Sequence, residues 1–235
     1  MFLKKLEKFL VSVDLASYRK RYLPIKIVEM DLPKSIQAIS LLYEVYWDRK
    51  EFLPFESFYE EYRHQHKKAL EEFRKKTQMC SKCFYKGLPA RIYRTWASIV
   101  TQIHAGYVAE SVFGDGSTSM SAELDNKGAD FQISYKGRIL NYQVKKETQS
   151  REVRREKKVK ESIPGEFINI EYKVPNYERI KNPNRKDGNG LYKEYKDFKE
   201  NFLDPGYLRI FSNGFVVFTS HIFEEKKRQI DKGSK

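Results

Sequence analysis

A single stretch of the chain carries an acid, an amide and a lysine at spacings that could support phosphodiester hydrolysis. Two runs in which apolar and polar residues alternate are separated by the dipeptide Lys136-Gly137. This dipeptide suits a two-residue turn that needs positive φ angles. The stretch therefore predicts a β-hairpin, and counting outwards from the turn places Asp130 opposite Gln143.

The two faces of the second strand are predicted to differ in chemistry. Because strand side chains alternate between faces, Lys145 shares the face of Gln143, while Val144 points into the core. Directly opposed Cβ atoms lie about 5 Å apart, so Asp130 should meet these two polar groups on one face. Lys146 lies on the opposite face, where a role in positioning DNA or in packing is expected.

Such a face could bind Mg²⁺ and cut a phosphodiester. The Asp130 carboxylate, the Gln143 amide oxygen and the Val144 carbonyl are the oxygen ligands that this hard cation prefers. Lys145 could then position the attacking water and stabilise charge on the phosphate. Because glutamine adds a ligand without charge, Asp125 is a second candidate for both metal binding and catalysis.

The motif differs from the acid, gap, Asp/Glu-x-Lys pattern of the PD-(D/E)xK nucleases, since Gln143 stands where a second acid is usual. A solvated strand face with an ion pair between an aspartate and a lysine would give the same pattern. The hairpin alone leaves both interpretations open.

Beyond the hairpin, the sequence resembles the TaqI-type type II restriction endonucleases. The matching segments follow the order of that family and span nearly the whole chain. The segments are 9–18, 22–29, 31–33, 42–47, 90–95, 123–125 with Gly128 and Asp130, 143–148 and 213–218.

The resemblance implies a Mg²⁺-dependent enzyme that cuts the palindrome TCGA and leaves 5′-CG overhangs. It also implies that the acids Asp125 and Asp130 and the lysines Lys145 and Lys146 belong to the active site. A palindromic target cut on both strands suggests a homodimer acting on double-stranded DNA, with a cognate DNA methyltransferase in the same cell as a functional partner. The implied fold is α/β, restriction-endonuclease-like, with a mixed central sheet flanked by helices.

Composition agrees with a nucleic-acid partner. The formal net charge is +13 and the pI is about 9.5, which indicates a polyanionic ligand, although an anionic membrane surface would also attract such a chain. No apolar run approaches the roughly 20 residues that span a bilayer, so no membrane partner is expected. Two cysteines without a secretion signal favour the cytoplasm.

Several arginines are candidates for contacting DNA. Arg91 and Arg94 lie near the start of the strongest predicted helix and are too polar for its apolar stripe. Arg151 and Arg154 belong to a basic run that directly follows the catalytic stretch. Arginine can bind guanine bidentately or contact phosphates, but ion pairing on the surface would explain the same residues.

A zinc site is a further alternative. Cys80 and Cys83 follow His64 and His66, and two cysteines with two histidines can bind zinc tetrahedrally. The His-x-His spacing is unusual for such a site, and there is no second cysteine pair.

The pattern predicts a helical N-terminal subdomain over residues 1–118 and a catalytic α/β region over 119–235, which together form one integrated domain. Periodicity and turn residues predict its elements. These are an amphipathic N-terminal helix, helices over 35–47, 55–76, 88–113 and 191–202, strands over 167–174 and 215–218, and a charged helix at the end.

The favoured function is a type II restriction endonuclease. One alternative is a structure-specific repair nuclease with the same site chemistry. Another is a sequence-specific DNA-binding protein without catalytic activity, in which replacing Lys145 would change little.

Overall fold

The computed structural model describes residues 2–25, 32–147, 163–184 and 191–233. It divides into two compact units, Phe2–Ile103 and His104–Lys235. The predicted boundary between residues 118 and 119 stays a prediction. Within the described ranges, none of the helices combines the length and the apolar character that crossing a bilayer demands.

The unit Phe2–Ile103 is helical in its described part. Its helices pack around rings that contact one another edge to face and in tilted pairs. Tyr22, for example, lies 5.0 Å from Phe55 and 5.1 Å from Tyr93 between ring centroids. The elements are α1 (Phe2–Ser12), α2 (Leu15–Tyr22), a 3₁₀ turn (Lys34–Ile36), α3 (Ile39–Tyr43), a π-helical turn (Glu44–Asp48), α4 (Phe55–Lys76) and α5 (Ser81–Phe113), which continues beyond Ile103.

A mixed sheet forms the centre of the unit His104–Lys235. Among the described residues it has four strands in the order β1-β2-β3-β4, with β1, β2 and β3 antiparallel and β4 parallel to β3. The strands are β1 (Thr118–Ser119), β2 (Phe131–Tyr135), β3 (Arg138–Glu147) and β4 (Glu166–Lys173).

The hairpin of β2 and β3 has the predicted turn. Lys136 has φ +48° and Gly137 has φ +73°, and Tyr135 pairs with Arg138 across them. Positive φ at both turn residues matches the twist of the two strands. The register that depends on this turn is therefore confirmed as far as the pair Phe131 and Tyr142.

One face of the hairpin packs into the core of this unit. Phe131 and Tyr142 stack with their ring centroids 5.0 Å apart, and Phe223 packs against both, 5.6 Å from the Tyr142 ring. Val144 is buried on the same strand, while Lys145 next to it is exposed. This alternation confirms that Val144 faces the core.

Shorter elements complete the unit. The last helix is attached to the hairpin by Asp231, which accepts hydrogen bonds from Lys136 Nζ at 2.6 Å and from the Tyr135 hydroxyl at 3.1 Å. The elements are α6 (Ala122–Asn126), α7 (Tyr177–Lys181), α8 (Leu191–Phe198) continued by a π-helical turn (Lys199–Leu203), the antiparallel pair β5 (Leu208–Ile210) and β6 (Val216–Phe218), and α9 (His221–Gly233).

Two predicted helices have the wrong extent. The helix expected over 35–47 is interrupted into a 3₁₀ turn, a short α-helix and a π-helical turn. The helix expected from residue 88 begins instead at Ser81 and contains Pro89. Proline in a helix removes one main-chain hydrogen bond, yet the helix continues through Pro89. The residues of its predicted apolar stripe are all buried: Ile92, Trp96, Ile99, Val100, Ile103, Tyr107 and Val108.

Candidate active site

Asp130 lies immediately before β2, at the point where the antiparallel ladder with β3 ends. Its main-chain N–H donates to the Tyr142 carbonyl at 2.8 Å. Its carboxylate is buried, 5% exposed, and Oδ2 accepts a hydrogen bond from the Val144 N–H at 2.6 Å. The regular ladder ends at the pair Phe131 and Tyr142, so the predicted pairing of Asp130 with Gln143 is not part of it. Beyond that pair, the Val144 N–H donates to the side chain of Asp130 and not to a main-chain carbonyl of β2.

This arrangement brings the Asp130 charge to the backbone of β3. In a strand the N–H and C=O of one residue point to the same side, so the Val144 carbonyl is also directed towards the β2 side of the strand. A buried carboxylate costs free energy unless it is hydrogen-bonded, and the short bond from Val144 offsets part of that cost.

The charge of Asp130 also affects the neighbouring strand β4. Burial raises the pKa of the Tyr172 hydroxyl, and the negative charge of the Asp130 carboxylate raises it further. Tyr172 pairs with Lys146 in the parallel ladder. The Asp130 carboxylate is therefore close enough to β4 for its charge to act on this strand as well.

Gln143 and Lys145 lie on the solvent-facing side of β3. Gln143 is half-buried and pairs with Asn169 of β4, while Lys145 is exposed and pairs with Glu171. The Lys145 Nζ atom lies 3.9 Å from Glu171 Oε1. The structure thus confirms that these two side chains alternate with Val144.

Glu171 is an acidic neighbour of the site that the sequence interpretation did not identify. Its strand was predicted, but the parallel pairing that places it beside Lys145 depends on the connection between β3 and β4. A parallel register cannot be counted out from a tight turn as that of a hairpin can. The alternation within β4 was the available signal, because it places Asn169 and Glu171 on the same face.

Asp125 and Lys146 remain candidates at the margin of this site. Asp125 is part of the short helix α6, which precedes β2, and its side chain is half-buried. Lys146 is exposed at the end of β3, one residue beyond Lys145. Alternation places it on the Val144 side of the strand, as predicted.

The arginines predicted to contact DNA have different surroundings. The Arg94 guanidinium donates to the Leu23 and Ile25 carbonyls at 3.1 Å each, so it stabilises the segment that follows α2. Arg91 donates to the Thr95 hydroxyl at 3.2 Å. DNA contacts by these residues stay predictions. Arg151 and Arg154 lie outside the described residues.

No group of three or more His, Cys, Asp or Glu side chains in the described ranges could hold a metal ion. Cys80, Cys83, His64 and His66 are all among those residues, so the zinc alternative has no support. The ligand set predicted for Mg²⁺ is of another kind, since it combines carboxylates with amide and main-chain oxygens around Asp130 and β3.

Comparison with known proteins identifies relatives along nearly the whole chain. The family model described as TaqI restriction endonuclease matches residues 3–230. The type II restriction enzyme TaqI of Thermus aquaticus is 35% identical over 225 residues, which cover 92% of this chain and 83% of that protein. The type II restriction enzyme TthHB8I of Thermus thermophilus is 39% identical over 158 residues, 65% of this chain and 60% of that protein. No solved structure matches the chain.

Proposed function

The chain belongs to the TaqI restriction endonuclease family, and from this membership we propose that it hydrolyses both strands of duplex DNA at the palindrome TCGA. The reaction uses Mg²⁺ and leaves 5′-phosphate ends with 5′ overhangs. The relatives support the class of enzyme, a type II site-specific nuclease. The target sequence, the metal and the end chemistry are the proposed part.

One observation carries the chemical part of this proposal. The buried Asp130 carboxylate is hydrogen-bonded at 2.6 Å to the backbone of the strand that carries Gln143 and Lys145. A solvated strand face with an ion pair, the alternative interpretation, would leave the aspartate exposed. A buried carboxylate hydrogen-bonded to the strand that carries an exposed lysine and a half-buried amide is more typical of a functional site.

The oxygen atoms around Asp130 fit Mg²⁺. This cation prefers carboxylate, carbonyl and water oxygens and usually binds through one or two carboxylates together with substrate phosphates. Asp130, Gln143 and the Val144 carbonyl would hold it, with Asp125 as a second acid. When bound, the ion supplies Lewis-acid activation of the phosphate and of a water molecule.

The basic groups of the chain act on the DNA phosphates. The Lys145 ammonium stabilises the negative charge that develops on the scissile phosphate, because a fixed positive charge interacts more strongly with the transition state than with the substrate. Lys146 extends from the opposite face at the same strand end and positions the DNA backbone. Arg91, Arg94, Arg151 and Arg154 are the further DNA contacts that we propose.

The symmetry of the target suggests the assembly. Two identical active sites related by a two-fold axis would cut the two strands of a palindrome equivalently, so we propose a homodimer. A DNA methyltransferase that modifies TCGA would protect the DNA of the same cell and is a functional partner.

Digestion of unmethylated plasmid DNA tests the proposal. The protein is incubated with and without Mg²⁺, and the fragment ends are sequenced. The variants Asp130→Ala and Lys145→Ala are tested in parallel, with circular dichroism to establish that they fold. We expect discrete fragments ending at TCGA, which disappear without Mg²⁺ and in both variants.

Other outcomes identify the alternatives. Cleavage at branched or damaged DNA without a preferred sequence would indicate a structure-specific repair nuclease. Salt-dependent DNA binding without cleavage, unchanged in Lys145→Ala, would indicate a DNA-binding protein. DNA that stays intact under all conditions would contradict the enzymatic proposal.

A further inference from the structure

Glu171 of β4 lies beside Lys145, the lysine that acts on the phosphate in the proposed function. The two residues are partners in the parallel ladder between β3 and β4. Lys145 Nζ and Glu171 Oε1 are 3.9 Å apart. Cross-strand partners share a face of the sheet, so the Glu171 carboxylate lies on the face that carries Gln143 and Lys145.

The contact between them is an ion pair without a hydrogen bond. Hydrogen bonds from an ammonium to a carboxylate are about 2.7–2.9 Å long, well below the observed distance. Both side chains are about half exposed, 47% for Lys145 and 57% for Glu171. Water screens such a pair, and it contributes little to folding stability.

The distribution of charge on this face indicates a functional role for the pair of Lys145 and Glu171. Gln143 is neutral where related nuclease motifs have an acid, and its partner Asn169 is neutral too. The carboxylate absent from position 143 is therefore present on the next strand, one alternation further along the face. There it is close to the lysine.

We propose that Glu171 is a positioning residue for Lys145. Its charge holds the ammonium on the solvent-facing side of β3, in the orientation from which it reaches the scissile phosphate. Because the contact is long and exposed, the ammonium can move from the carboxylate to the phosphate oxygen without breaking a strong hydrogen bond. This inference rests on the proposed function of Lys145.

The charge of Glu171 has opposite effects on binding and on catalysis. A carboxylate near the DNA backbone repels phosphates, so its removal strengthens DNA binding or leaves it unchanged. The same removal lets Lys145 adopt other rotamers, so the bond-cleavage step slows. An exposed ion pair biases the position of a lysine by about two- to fivefold, so the loss of rate is expected to be of that size.

The test compares Glu171→Gln, Glu171→Asp and a matched control on the same strand. Glu166 is the control, because it also forms an ion pair with a lysine, Lys226, at 2.6 Å, but it lies five positions away from Glu171. Single-turnover cleavage of a duplex containing TCGA is measured with Mg²⁺. Binding of the same duplex is measured without metal, and thermal unfolding is measured for each variant.

We expect Glu171→Gln to cleave about two- to fivefold more slowly, to bind DNA at least as tightly as the parent protein, and to unfold at the same temperature. Glu171→Asp keeps the charge and should recover most of the rate. Glu166→Gln should cleave at the parent rate.

Three results would overturn the inference. These are an unchanged cleavage rate in Glu171→Gln, an equal loss in Glu171→Gln and Glu171→Asp, and weaker binding that accounts for the whole loss of activity. Absence of cleavage by the parent protein would instead contradict the proposed function, so the two failures are distinguishable.

Discussion

At Asp130, a single side chain combines a structural and a chemical role. Its Oδ2 atom accepts the Val144 N–H at 2.6 Å where the ladder of β2 and β3 ends. The carboxylate therefore completes the hydrogen bonding of β3, and in the proposed function it also binds the metal. Replacement by asparagine separates these roles, because the amide oxygen can still accept from Val144 but carries no charge.

For Asp130→Asn we expect retained folding and a loss of cleavage of about 1,000-fold, the scale on which loss of one preorganised electrostatic group slows catalysis. Single-turnover cleavage and thermal unfolding measure the two effects separately. Asp231→Asn, in α9 beside the turn of the hairpin, is the control and should cleave normally. Cleavage by Asp130→Asn within about threefold of the parent rate would exclude a role for the Asp130 charge.

The pKa of the Glu71 carboxyl, in α4, tests how a single ion pair affects the stability of the protein. Hydrogen bonds from Arg74 hold the pKa of the Glu71 carboxyl at about 2, with a smaller contribution from the Tyr85 hydroxyl. A carboxylate whose pKa is depressed in the folded state stabilises the protein above its unfolded pKa of about 4.3. That contribution is lost as the pH falls from about 4.5 to about 2.

A titration of Glu71 followed by carbon-13 NMR measures this directly. We expect a midpoint near 2 in the parent protein. In Arg74→Met the pKa of Glu71 should return towards the ordinary range, because the hydrogen bonds from the guanidinium are then absent. In Tyr85→Phe the midpoint should move less. An ordinary midpoint in the parent protein would show that the pair is not formed in solution.

Among the secondary-structure elements, two glycines constrain the sheet in different ways. Gly137, in the hairpin turn, has φ +73° and an added Cβ would meet nothing within 4 Å. Gly165, just before β4, has φ +113° and an added Cβ would lie 2.5 Å from the Ile139 carbonyl oxygen. The first position requires only a left-handed backbone, whereas the second also requires the absence of a side chain.

We therefore expect Gly137→Ala to lower the free energy of unfolding by about 1–2 kcal/mol, the cost of left-handed backbone for a residue with a Cβ. Gly165→Ala should cost more, because the main chain of β3 must also move. Urea denaturation of both variants checks the order. Equal losses would show that the approach of residue 165 to β3 is not tight.

The elements that the sequence predicted best are those set by local chemistry. Lys136-Gly137 determines the hairpin turn, and the turn determines the register as far as Phe131 and Tyr142. Helix α4 has the bounds that its pattern predicts, Phe55–Lys76. By contrast, α5 begins at Ser81, seven residues before the start that its apolar stripe predicted.

The parts of the site that depend on local sequence were also predictable. Alternation along β3 correctly separated Val144 from Gln143 and Lys145. The carboxylate of Asp130 bonds the backbone of β3 instead of extending the ladder, and Glu171 depends on a parallel register. The alternation pattern does not show where a ladder ends and a side chain replaces a main-chain acceptor. The parallel register of β4 cannot be counted from a tight turn.

For the whole molecule, the formal charge of +13 predicts how DNA binding responds to salt. Each phosphate neutralised by a lysine or arginine contributes about −0.9 to the slope of log K against log salt concentration on duplex DNA. The proposed contacts are Lys146 and the four arginines at positions 91, 94, 151 and 154. They give a slope of about −4 to −5 for one subunit and about twice that for a dimer.

Fluorescence anisotropy with a short duplex, in the absence of metal between about 50 and 200 mM salt, measures this slope. Replacement of Arg151 or Arg154 by alanine should reduce its magnitude by about 1 for each subunit bound. Arg49→Ala is the control, because Arg49 is already paired with three acids, Glu44, Glu51 and Glu61.

A slope of about −9 whose magnitude falls by about 2 for each arginine replaced supports a dimer in which both subunits contact the DNA backbone. A slope of about −4 whose magnitude falls by about 1 for each arginine replaced would mean that one subunit binds at a time. The two strands of a palindrome would then be cut in separate encounters. A slope that neither arginine changes would remove Arg151 and Arg154 from the DNA interface.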